Sequence, residues 1–351
     1  MTAHPWNSLY RDSSPPASED DCLALINDLF PERSGHFPLA RDDDCAFLRL
    51  SSPALALSTD AFLEDVHFRS AYFTPAEAGA KALTAAVSDL AAVGAEPLGF
   101  SLGLFLPPIL SRAALAGCLA GMAEKSRSCG IILTGGDLSR GPRLGFCLTV
   151  WGAPAAGDAP FAARGRAGPG DVLFLAGRAG LARVGFMALE KTGRQALGRY
   201  PEACAAHLAP PLLLAEGQAL VRLAGQDPSL SLMDCSDGLA RDLPRLLAGR
   251  GADLEIPRGE IHADVLRAAE DWGLAPESLV LAGGEDYSLA GACPPSLWPR
   301  IRRDVPLARA LGRVRPDALF SCNGAPLRLE DLAGFDHFRP GNYSNARLKM
   351  F

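Results

Sequence analysis

Aspartates follow short apolar runs at several points of the chain, and the stretch LMDCSDGLARDL shows the pattern most clearly. There, Asp234 and Asp237 lie on either side of one serine, before a helix-like run. The same pattern, an apolar run that ends in Ser, Thr or Gly and then an aspartate, recurs at Asp60, Asp89 and Asp137. Loops at strand ends often carry functional groups, so these acids are candidates for a binding or catalytic site.

Each aspartate also has a purely structural explanation. Ser or Asp before a helix is commonly an N-cap, which accepts hydrogen bonds from the first backbone N–H groups and contributes about 1 kcal/mol. Taken together, however, and with Asp43 and Asp44 in RDDDCAF, the acids favour a shared site. Two carboxylates about 4 Å apart repel by about 4 kcal/mol at an effective dielectric of about 20, so convergence of these acids predicts a bound cation.

The donor types select the cation and narrow the chemistry. Carboxylates and hydroxyls, without a His or Cys cluster, suit Mg²⁺ rather than Zn²⁺, and Mg²⁺ commonly carries substrate phosphates. A Walker A loop is excluded because the chain has no Gly-Lys dipeptide, and no protein-kinase catalytic loop is present. The segment DVLFLAGRAGLARVG superficially resembles a dinucleotide loop, but its spacing is not GxGxxG and no second strand ending in an acid follows.

Composition is that of an ordinary soluble globular protein. The 351 residues, 48% of them hydrophobic, are enough for two domains with separate cores. A net charge of -6 without a long basic run argues against nucleic-acid binding. The most apolar window, LGFSLGLFLPPIL, is shorter than the roughly 20 residues of a membrane span. Nine scattered cysteines without a CxxC pair, and no apolar signal core, favour a cytoplasmic protein with reduced thiols.

Hydrophobic periodicity predicts the elements that carry these residues. We expect an α+β fold in which a polar arm precedes the first helix. The predicted helices are 20–30, 75–92 and 111–129, and the predicted strands are 45–50, 55–59, 98–106, 131–134, 144–150, 171–176, 231–235 and 279–282. The predicted division is a flexible arm at 1–17, an N-terminal domain at 18–152, a Gly/Ala/Pro-rich linker at 153–170, a C-terminal α/β domain at 171–338 and a tail at 339–351.

The motifs together resemble one family. DDDCAFL, STDAFLEDVHF, KALTAAVSDLAAVGAEPLG, GGDLSRG, GRAGPGD, MDCSDGLARDL, AGGEDYSL and GFDHF match the thiamine-monophosphate kinases in order and spacing, from about residue 20 to residue 338. The resemblance implies the two-domain fold of aminoimidazole ribonucleotide synthetase. It also implies that the strands of the N-terminal domain form a β-barrel across a homodimer. The implied reaction is Mg²⁺-dependent transfer of the ATP γ-phosphoryl group to thiamine monophosphate, giving thiamine diphosphate and ADP.

The resemblance also implies roles for individual residues. Asp234 and Asp237 would be catalytic, holding Mg²⁺ against the transferring phosphoryl group. The implied metal and phosphate ligands are Asp44, Ser58, Thr59, Asp60, Asp89, Asp137, Asp234 and Asp237. The implied nucleotide contacts are Gly136, Arg164 and Ser236, and the implied thiamine contacts are His67, Glu285 and Phe335. A carboxylate or an aromatic face suits the cationic thiazolium ring, although His67 and Phe335 are equally compatible with ordinary packing.

The chain departs from the family pattern while its acidic core stays intact. Residues at which the usual family residue is replaced are Asp42, Asp65, Ala86, Leu138, Ala209, Leu213 and Ser288. These replacements leave fewer polar groups around the nucleotide phosphates. Arg166, Arg178 or Arg183 could compensate for the lost groups. Two alternatives therefore stay open: a divergent superfamily member with another small phosphorylated substrate, and a non-catalytic nucleotide-binding dimer. Selenophosphate synthetase and the hydrogenase-maturation member are disfavoured because their characteristic cysteines are missing from the expected positions.

Overall fold

The computed structural model describes residues 4–10, 12, 14–32, 34–37, 45–49, 52–155 and 160–332. The chain divides into two compact units. Unit 1 comprises Met1–Leu90 and Glu96–Ala153, and unit 2 comprises Ala91–Ala95 and Pro154–Phe351. Each unit has one open β-sheet with helices, which confirms the α+β class. The predicted bounds of the arm, linker and tail remain predictions. Among the described residues, no helix is long and apolar enough to cross a bilayer.

Unit 1 is built on a four-stranded sheet. In chain order its elements are a 3₁₀ helix (Pro5–Leu9), α1 (Glu19–Leu29), β1 (Ala56–Leu63), α2 (Pro75–Ala92), β2 (Ala95–Leu106), α3 (Arg112–Cys129), β3 (Ile132–Arg140) and β4 (Gly145–Pro154). The strand order is β1-β4-β2-β3, with β1 antiparallel to β4 and β2 parallel to β3. Serine N-caps start two of the helices: Ser18 Oγ accepts the Asp21 N–H at 3.2 Å, and Ser111 Oγ accepts the Ala114 N–H at 3.1 Å.

Unit 2 is built on a seven-stranded sheet. Its elements are β5 (Val172–Ala176), α4 (Leu181–Thr192), α5 (Pro201–Leu208), α6 (Leu214–Ala224), β6 (Ser231–Cys235), α7 (Leu239–Leu246), β7 (Ala252–Leu254), α8 (Ala263–Trp272), α9 (Pro276–Leu281), β8 (Ser288–Cys293), α10 (Trp298–Asp304), β9 (Ala308–Val314), β10 (Phe320–Cys322) and β11 (Ala325–Leu327). Short 3₁₀ helices lie at Gly193–Gly198, Arg258–Glu260 and Leu329–Asp331. The strand order is β11-β10-β7-β9-β5-β8-β6, and only β7 and β10 pair in parallel.

Buried strands explain the short apolar runs of unit 2. Every residue of β5, β6 and β8 is buried, and their sequences VLFLA, SLMDC and SLAGAC accordingly show no strict alternation of apolar and polar residues. Phe174, Leu232 and Leu289, one from each strand, belong to one buried cluster. This sheet therefore gives a rigid base for the acidic turn that follows β6.

The glycines of the segment that superficially resembles a dinucleotide loop have packing roles. Gly180 is the N-cap of α4, and Gly185 lies where α4 packs against α5. A Cβ atom at Gly185 would lie 2.0 Å from the Ala203 carbonyl oxygen, so only glycine permits this helix contact. The close approach of two helices accounts for this glycine without a nucleotide.

Three predicted helices and most predicted strands are confirmed, and two predicted strands are wrong. Over residues 45–49 only an isolated bridge forms, at Phe47, whose side chain is about half exposed and therefore gains little by pairing. The segment 279–282 lies mostly within α9, not in a strand. Pro276 begins that helix at its first turn, where a proline ring and a missing N–H are tolerated. Leu279, Val280 and Leu281 are all buried, and such a short apolar run does not distinguish a helix from a strand.

The buried Asp286 carboxylate fixes the start of α4. It accepts the backbone N–H groups of Gly180 at 2.6 Å and Ala182 at 2.8 Å, and both are among the N–H groups that a helix leaves unpaired. We expect Asp286→Ala to lower the free energy of unfolding by about 2–4 kcal/mol, because two buried donors lose a charged acceptor. Asp286→Asn should lose less, since an amide oxygen still accepts. Urea unfolding measures both, and exposed Asp227→Ala is the control. An Asp286→Ala variant as stable as this control would contradict the capping role.

Candidate active site

Unit 1 brings two of the predicted carboxylates together. Ser58 and Asp60 are two residues apart on β1 and therefore share one face of the sheet. Asp89, on α2, accepts a short hydrogen bond from the Ser58 hydroxyl. Burial and, to a smaller extent, the negative charge of Asp89 together raise the pKa of Asp60 to about 6. The pair is thus an oxygen-rich, negatively charged group at which a cation would relieve repulsion.

The other predicted ligands of unit 1 lie elsewhere on the sheet. Thr59 is on the opposite face of β1, exposed, and its hydroxyl lies 2.9 Å from the Thr149 hydroxyl on β4. Asp137 is exposed on β3 and accepts a hydrogen bond from Ser139 at 3.3 Å. Asp44 falls outside the described residues. Among the residues that are described, no group of three or more His, Cys, Asp or Glu side chains could hold a metal ion.

Gly136, a predicted nucleotide contact, has a structural requirement of its own. It lies in β3 beside β2, and a Cβ atom there would be 2.0 Å from the Leu102 carbonyl oxygen. Any side chain would therefore push the two strands apart. The close strand contact explains the glycine, which is exposed on the edge strand of the sheet.

In unit 2, Asp234 and Asp237 flank the turn that leaves β6. Asp234 is buried near the end of the strand, whereas Asp237 is partly exposed in the turn before α7. Arg245, in the last turn of α7, places Nη1 2.7 Å from the Asp237 carboxylate. This half-exposed ion pair orients Asp237, and a cation bound at Asp237 would compete with the guanidinium.

A third acid of this turn, Asp242, was not predicted as a site residue. Its side chain is fully buried and accepts the N–H groups of Asp237 at 3.1 Å and Gly238 at 3.0 Å. Burial and, to a smaller extent, the Asp237 charge raise the pKa of Asp242 to about 6. Asp242 therefore shapes the turn that presents Asp237. The clue in the sequence was a carboxylate in the first turn of a helix, as in a capping box.

The turn after α9 is attached directly to this acidic turn. The Glu285 N–H donates to the Ser236 carbonyl at 2.8 Å, and the Tyr287 N–H donates to the Cys235 carbonyl at 3.0 Å. Both Glu285 and Tyr287 have positive φ, 63° and 48°, which is unfavourable for residues with side chains. Pairing between the two turns offsets this strain. The Ser236 backbone, a predicted nucleotide contact, thus also positions Glu285, a predicted thiamine contact.

A buried histidine holds the Glu285 side chain. His207 Nδ1, on α5, lies 3.1 Å from the Glu285 carboxylate, and the His207 side chain is 1% exposed while that of Glu285 is 26% exposed. The imidazole packs against Phe186 at a ring distance of 5.5 Å. Sequence reasoning missed His207 because 78 residues separate it from Glu285 along the chain and no local motif links the two.

The remaining predicted contacts are placed as follows. His67 Nδ1 accepts the Leu63 N–H at 3.0 Å and its ring stacks on Phe62 at 5.4 Å, so the ring orientation is fixed and the proton of a neutral imidazole lies on Nε2. Arg164 is exposed in a loop of unit 2. Phe335 lies outside the described residues.

Two departures from the family pattern have local structural consequences. Asp65 stands where the family has glycine, and it keeps a glycine-like φ of 65° while its carboxylate pairs with Arg143 at 2.8 Å. Ser288 stands where the family has glutamate. Its hydroxyl accepts the Arg178 N–H at 3.0 Å and donates to the Arg178 carbonyl at 2.7 Å. Ser288 therefore fixes the turn after β5.

Comparisons with known proteins give the family. The family model for the AIR synthase related protein, N-terminal domain, matches residues 42–153. Thiamine-monophosphate kinase of Escherichia coli K12 is 32% identical over 312 residues, which cover 84% of this chain and 90% of that protein. The solved structure "AaThiL complexed with AMPPCP and TMP" matches with a TM-score of 0.70 and 25% identity, covering 91% of this chain and 97% of that one.

A second solved structure shares the fold alone. Hydrogenase maturation protein HypE in complex with ATP matches with a TM-score of 0.70 at 21% identity, covering 94% of this chain and 98% of that one. The E. coli kinase, by contrast, is 32% identical over most of both chains. The chain belongs to the thiamine-monophosphate kinase family, within the AIR synthase-like superfamily.

Proposed function

We propose that the protein transfers the γ-phosphoryl group of ATP to thiamine monophosphate, giving thiamine diphosphate and ADP. Its E. coli relative bears the name of this activity, and the AaThiL structure holds AMPPCP and TMP. The observation in this chain that carries the proposal is the partly buried pair of Asp60 and Asp89. Burial and the Asp89 charge together raise the pKa of Asp60 to about 6, and a bound cation would offset both effects. Without a bound cation, two neighbouring carboxylates would lower the free energy of unfolding and serve no function.

Mg²⁺ is the cation that the donor types fit. In unit 1, Asp60, Asp89 and the Ser58 hydroxyl carry the hard oxygen ligands that Mg²⁺ prefers, and in unit 2 Asp234 and Asp237 carry ligands of the same kind. Thr59, on the opposite face of β1, Asp137, on β3, and Asp44 are the other residues that we propose as metal or phosphate ligands. When bound, Mg²⁺ would neutralise charge on the phosphates of ATP and on the transferring group.

The acceptor explains why the chain needs no general base. A phosphate monoester has a second pKa of about 6, so thiamine monophosphate already presents an anionic oxygen at neutral pH. The protein's task is then to align two polyanions, which is a matter of position and charge rather than of proton transfer. Asp234 and Asp237 are proposed to serve this task at the phosphoryl group. Arg245 orients Asp237 until a cation replaces it.

The thiazolium ring of the substrate is a permanent cation. Glu285 is partly exposed, and His207 fixes its carboxylate by a contact of 3.1 Å, so an anion is held ready for that ring. His67 and Phe335 are the other proposed thiamine contacts. For the nucleotide, we propose Gly136, Arg164 and Ser236, of which Arg164 is exposed and able to reach phosphate oxygens.

We further propose that the enzyme is a homodimer in which two unit 1 sheets complete a β-barrel. The supporting feature is the face of the unit 1 sheet that carries Leu57, Leu63 and Phe105, which are 64%, 37% and 41% exposed. Leu63 and Phe105 lie side by side, since a Cβ atom at Gly145 between them would touch both side chains. A second copy would bury this apolar face and both edge strands.

All nine cysteines are free thiols, which supports a cytoplasmic enzyme.

Asp60 gives a pH prediction for the metal-free protein. Its pKa rises from 3.8 in the unfolded chain to about 6 in the folded state. Between these values the folded state binds more protons than the unfolded chain, so stability should fall as pH rises through this window, by up to about 3 kcal/mol. Asp60→Asn, which cannot ionise, should remove that fall. Urea unfolding from about pH 4 to about pH 7 measures it, with exposed Asp12→Asn as control; parallel curves for wild type and Asp60→Asn would contradict it.

Mg²⁺ should reverse the loss of stability. Because the ion binds ionised carboxylates, it should raise the melting temperature more at about pH 7.5 than at about pH 5. Differential scanning fluorimetry with and without Mg²⁺ at both pH values measures this shift. Asp60→Asn should reduce it and Asp12→Asn should leave it unchanged. Equal shifts at the two pH values, or a full shift in Asp60→Asn, would remove Asp60 from the metal site.

Asp237→Asn tests the proposed catalytic role. Loss of one charge at the phosphoryl group should lower kcat for thiamine diphosphate formation by about a hundredfold or more. Stability should change by no more than about 1 kcal/mol, because only a half-exposed ion pair with Arg245 is lost. Asp304→Asn, which breaks a similar pair with Arg303, is the matched control. Chromatographic assay measures turnover, and wild-type activity in Asp237→Asn would exclude the role.

Leu57→Arg tests the proposed dimer. A charge on the apolar face of β1 should make the protein monomeric, because an unpaired guanidinium would be buried between the two copies. Size-exclusion chromatography with light scattering gives the mass. Leu319→Arg, at an equally exposed leucine of unit 2, is the control and should leave the dimer intact. A monomeric wild type, or a dimeric Leu57→Arg variant, would contradict this use of the sheet face.

A further inference from the structure

The first described residues of the chain form a short segment that is packed into unit 1. Residues 4–9, here called the N-terminal strap, include the 3₁₀ helix at Pro5–Leu9. His4 is 4% exposed and Trp6 is 1% exposed, although both precede the first α-helix of the unit. Polar contacts accompany this burial, so the strap has a defined position on the unit rather than a loose attachment.

His4 contacts the buried carboxylate of Glu64. His4 Nε2 lies 3.1 and 3.3 Å from the two carboxylate oxygens, and both side chains are at most 4% exposed. His4 Nδ1 accepts the Trp6 N–H, so the imidazole proton lies on Nε2 and is donated to Glu64. Glu64 also accepts the Leu144 N–H at 3.4 Å. Hydrogen bonds from His4 and other donors hold the pKa of Glu64 below its usual range despite burial.

Trp6 and Asn7, which follow His4, attach the strap at further points of unit 1. The Trp6 indole N–H donates to the Phe73 carbonyl at 2.8 Å, and its ring stacks on Phe68 with centroids 5.8 Å apart. Asn7 donates to the Ile109 carbonyl at 2.8 Å and accepts the Ser111 N–H at 3.0 Å. The strap therefore contacts the segment that runs from Glu64 to Phe68 at its first and last residues.

That segment, the 64–68 loop, carries His67. It is closed by a hydrogen bond from the Asp65 N–H to the Phe68 carbonyl at 2.8 Å, and Asp65 adopts a left-handed conformation with φ 65°. Phe68 stacks on Phe62 at 5.3 Å, and His67 stacks on the same ring at 5.4 Å. A strained loop keeps its shape only where its surroundings fix it, and the strap fixes both of its ends.

We propose that the strap positions the 64–68 loop for substrate binding, with His4 as a positioning residue that acts through Glu64. The inference rests on the proposed function in one respect, the contact of His67 with thiamine monophosphate. Without His4 the buried Glu64 carboxylate loses a donor, and the loop relaxes. His67 then no longer meets the substrate in one orientation, while the nucleotide contacts are untouched.

Hydrogen–deuterium exchange tests the structural half without any assay of activity. In His4→Ala, the peptide that spans residues 62–70 should exchange at least about tenfold faster than in the wild type, the change expected for one lost hydrogen bond to a charged group. His4→Gln, whose amide can still donate to Glu64, should restore slow exchange. Leu9→Ala, at an exposed residue of the same strap, should have no effect. Unchanged exchange in His4→Ala would overturn the proposal.

Steady-state kinetics tests the functional half. His4→Ala should raise KM for thiamine monophosphate by about tenfold, with KM for ATP within about twofold of wild type, and His4→Gln should recover most of the loss. Ile132→Ala, in the separate cluster around Phe37 and Leu98, controls for a general loss of stability. An equal rise of both KM values, or the same rise in Ile132→Ala, would overturn a positioning role.

Failure of the proposed function gives a different pattern. If the wild type formed no thiamine diphosphate, the kinase assignment would fail, and the exchange experiment would still decide whether the strap fixes the loop. If exchange became faster in His4→Ala and KM for thiamine monophosphate did not change, the kinase assignment would stand and the substrate role of the strap would be overturned.

Discussion

The partial burial of carboxylates beside one another is the constraint on which the rest of the site depends. Partial burial, together with the charge of Asp89, raises the pKa of Asp60 to about 6. Burial, together with the charge of Asp237, raises the pKa of Asp242 to the same value. The fold maintains these groups at a cost in stability, and it limits that cost with specific donors: Ser58 for Asp89, and two backbone N–H groups for Asp242. A cation that carries phosphate ligands would bind to the negative charge that these donors leave uncompensated.

Positioning in unit 2 depends on two turns that support one another. The Ser236 carbonyl accepts the Glu285 N–H, so the turn that presents Asp237 and the turn that presents Glu285 cannot move independently. His207 fixes the Glu285 carboxylate from behind, and Asp286, the next residue, caps α4. The adjacent residues Glu285 and Asp286 thus have separate tasks. Because each of these groups has its own partner, the acids keep their geometry although the family resemblance predicts fewer polar groups around the nucleotide phosphates.

Much of this architecture follows from local sequence, and the exceptions have physical reasons. Amphipathic periodicity gave α1, α2 and α3, and continuous apolar runs gave β5 and β6, because those signals reside within one element. Strand β8 was not predicted because SLAGAC has low strand propensity. Its Gly291 is required because a Cβ atom there would lie 2.2 Å from the Phe174 ring on the neighbouring strand. In the site, the recurrence of Asp after apolar runs identified Asp60 and Asp89. His207 and the strap residue His4 were not identified, because each acts on a residue at least 60 positions away.

The most direct test of the central claim is formation of thiamine diphosphate from thiamine monophosphate, ATP and Mg²⁺ by the purified wild-type protein, followed chromatographically with an EDTA control. The account predicts stoichiometric ADP and thiamine diphosphate that disappear when EDTA removes the metal. Product formation that is insensitive to EDTA would contradict the role assigned to the acidic groups. A folded protein that binds ATP and forms no thiamine diphosphate would contradict the kinase assignment itself.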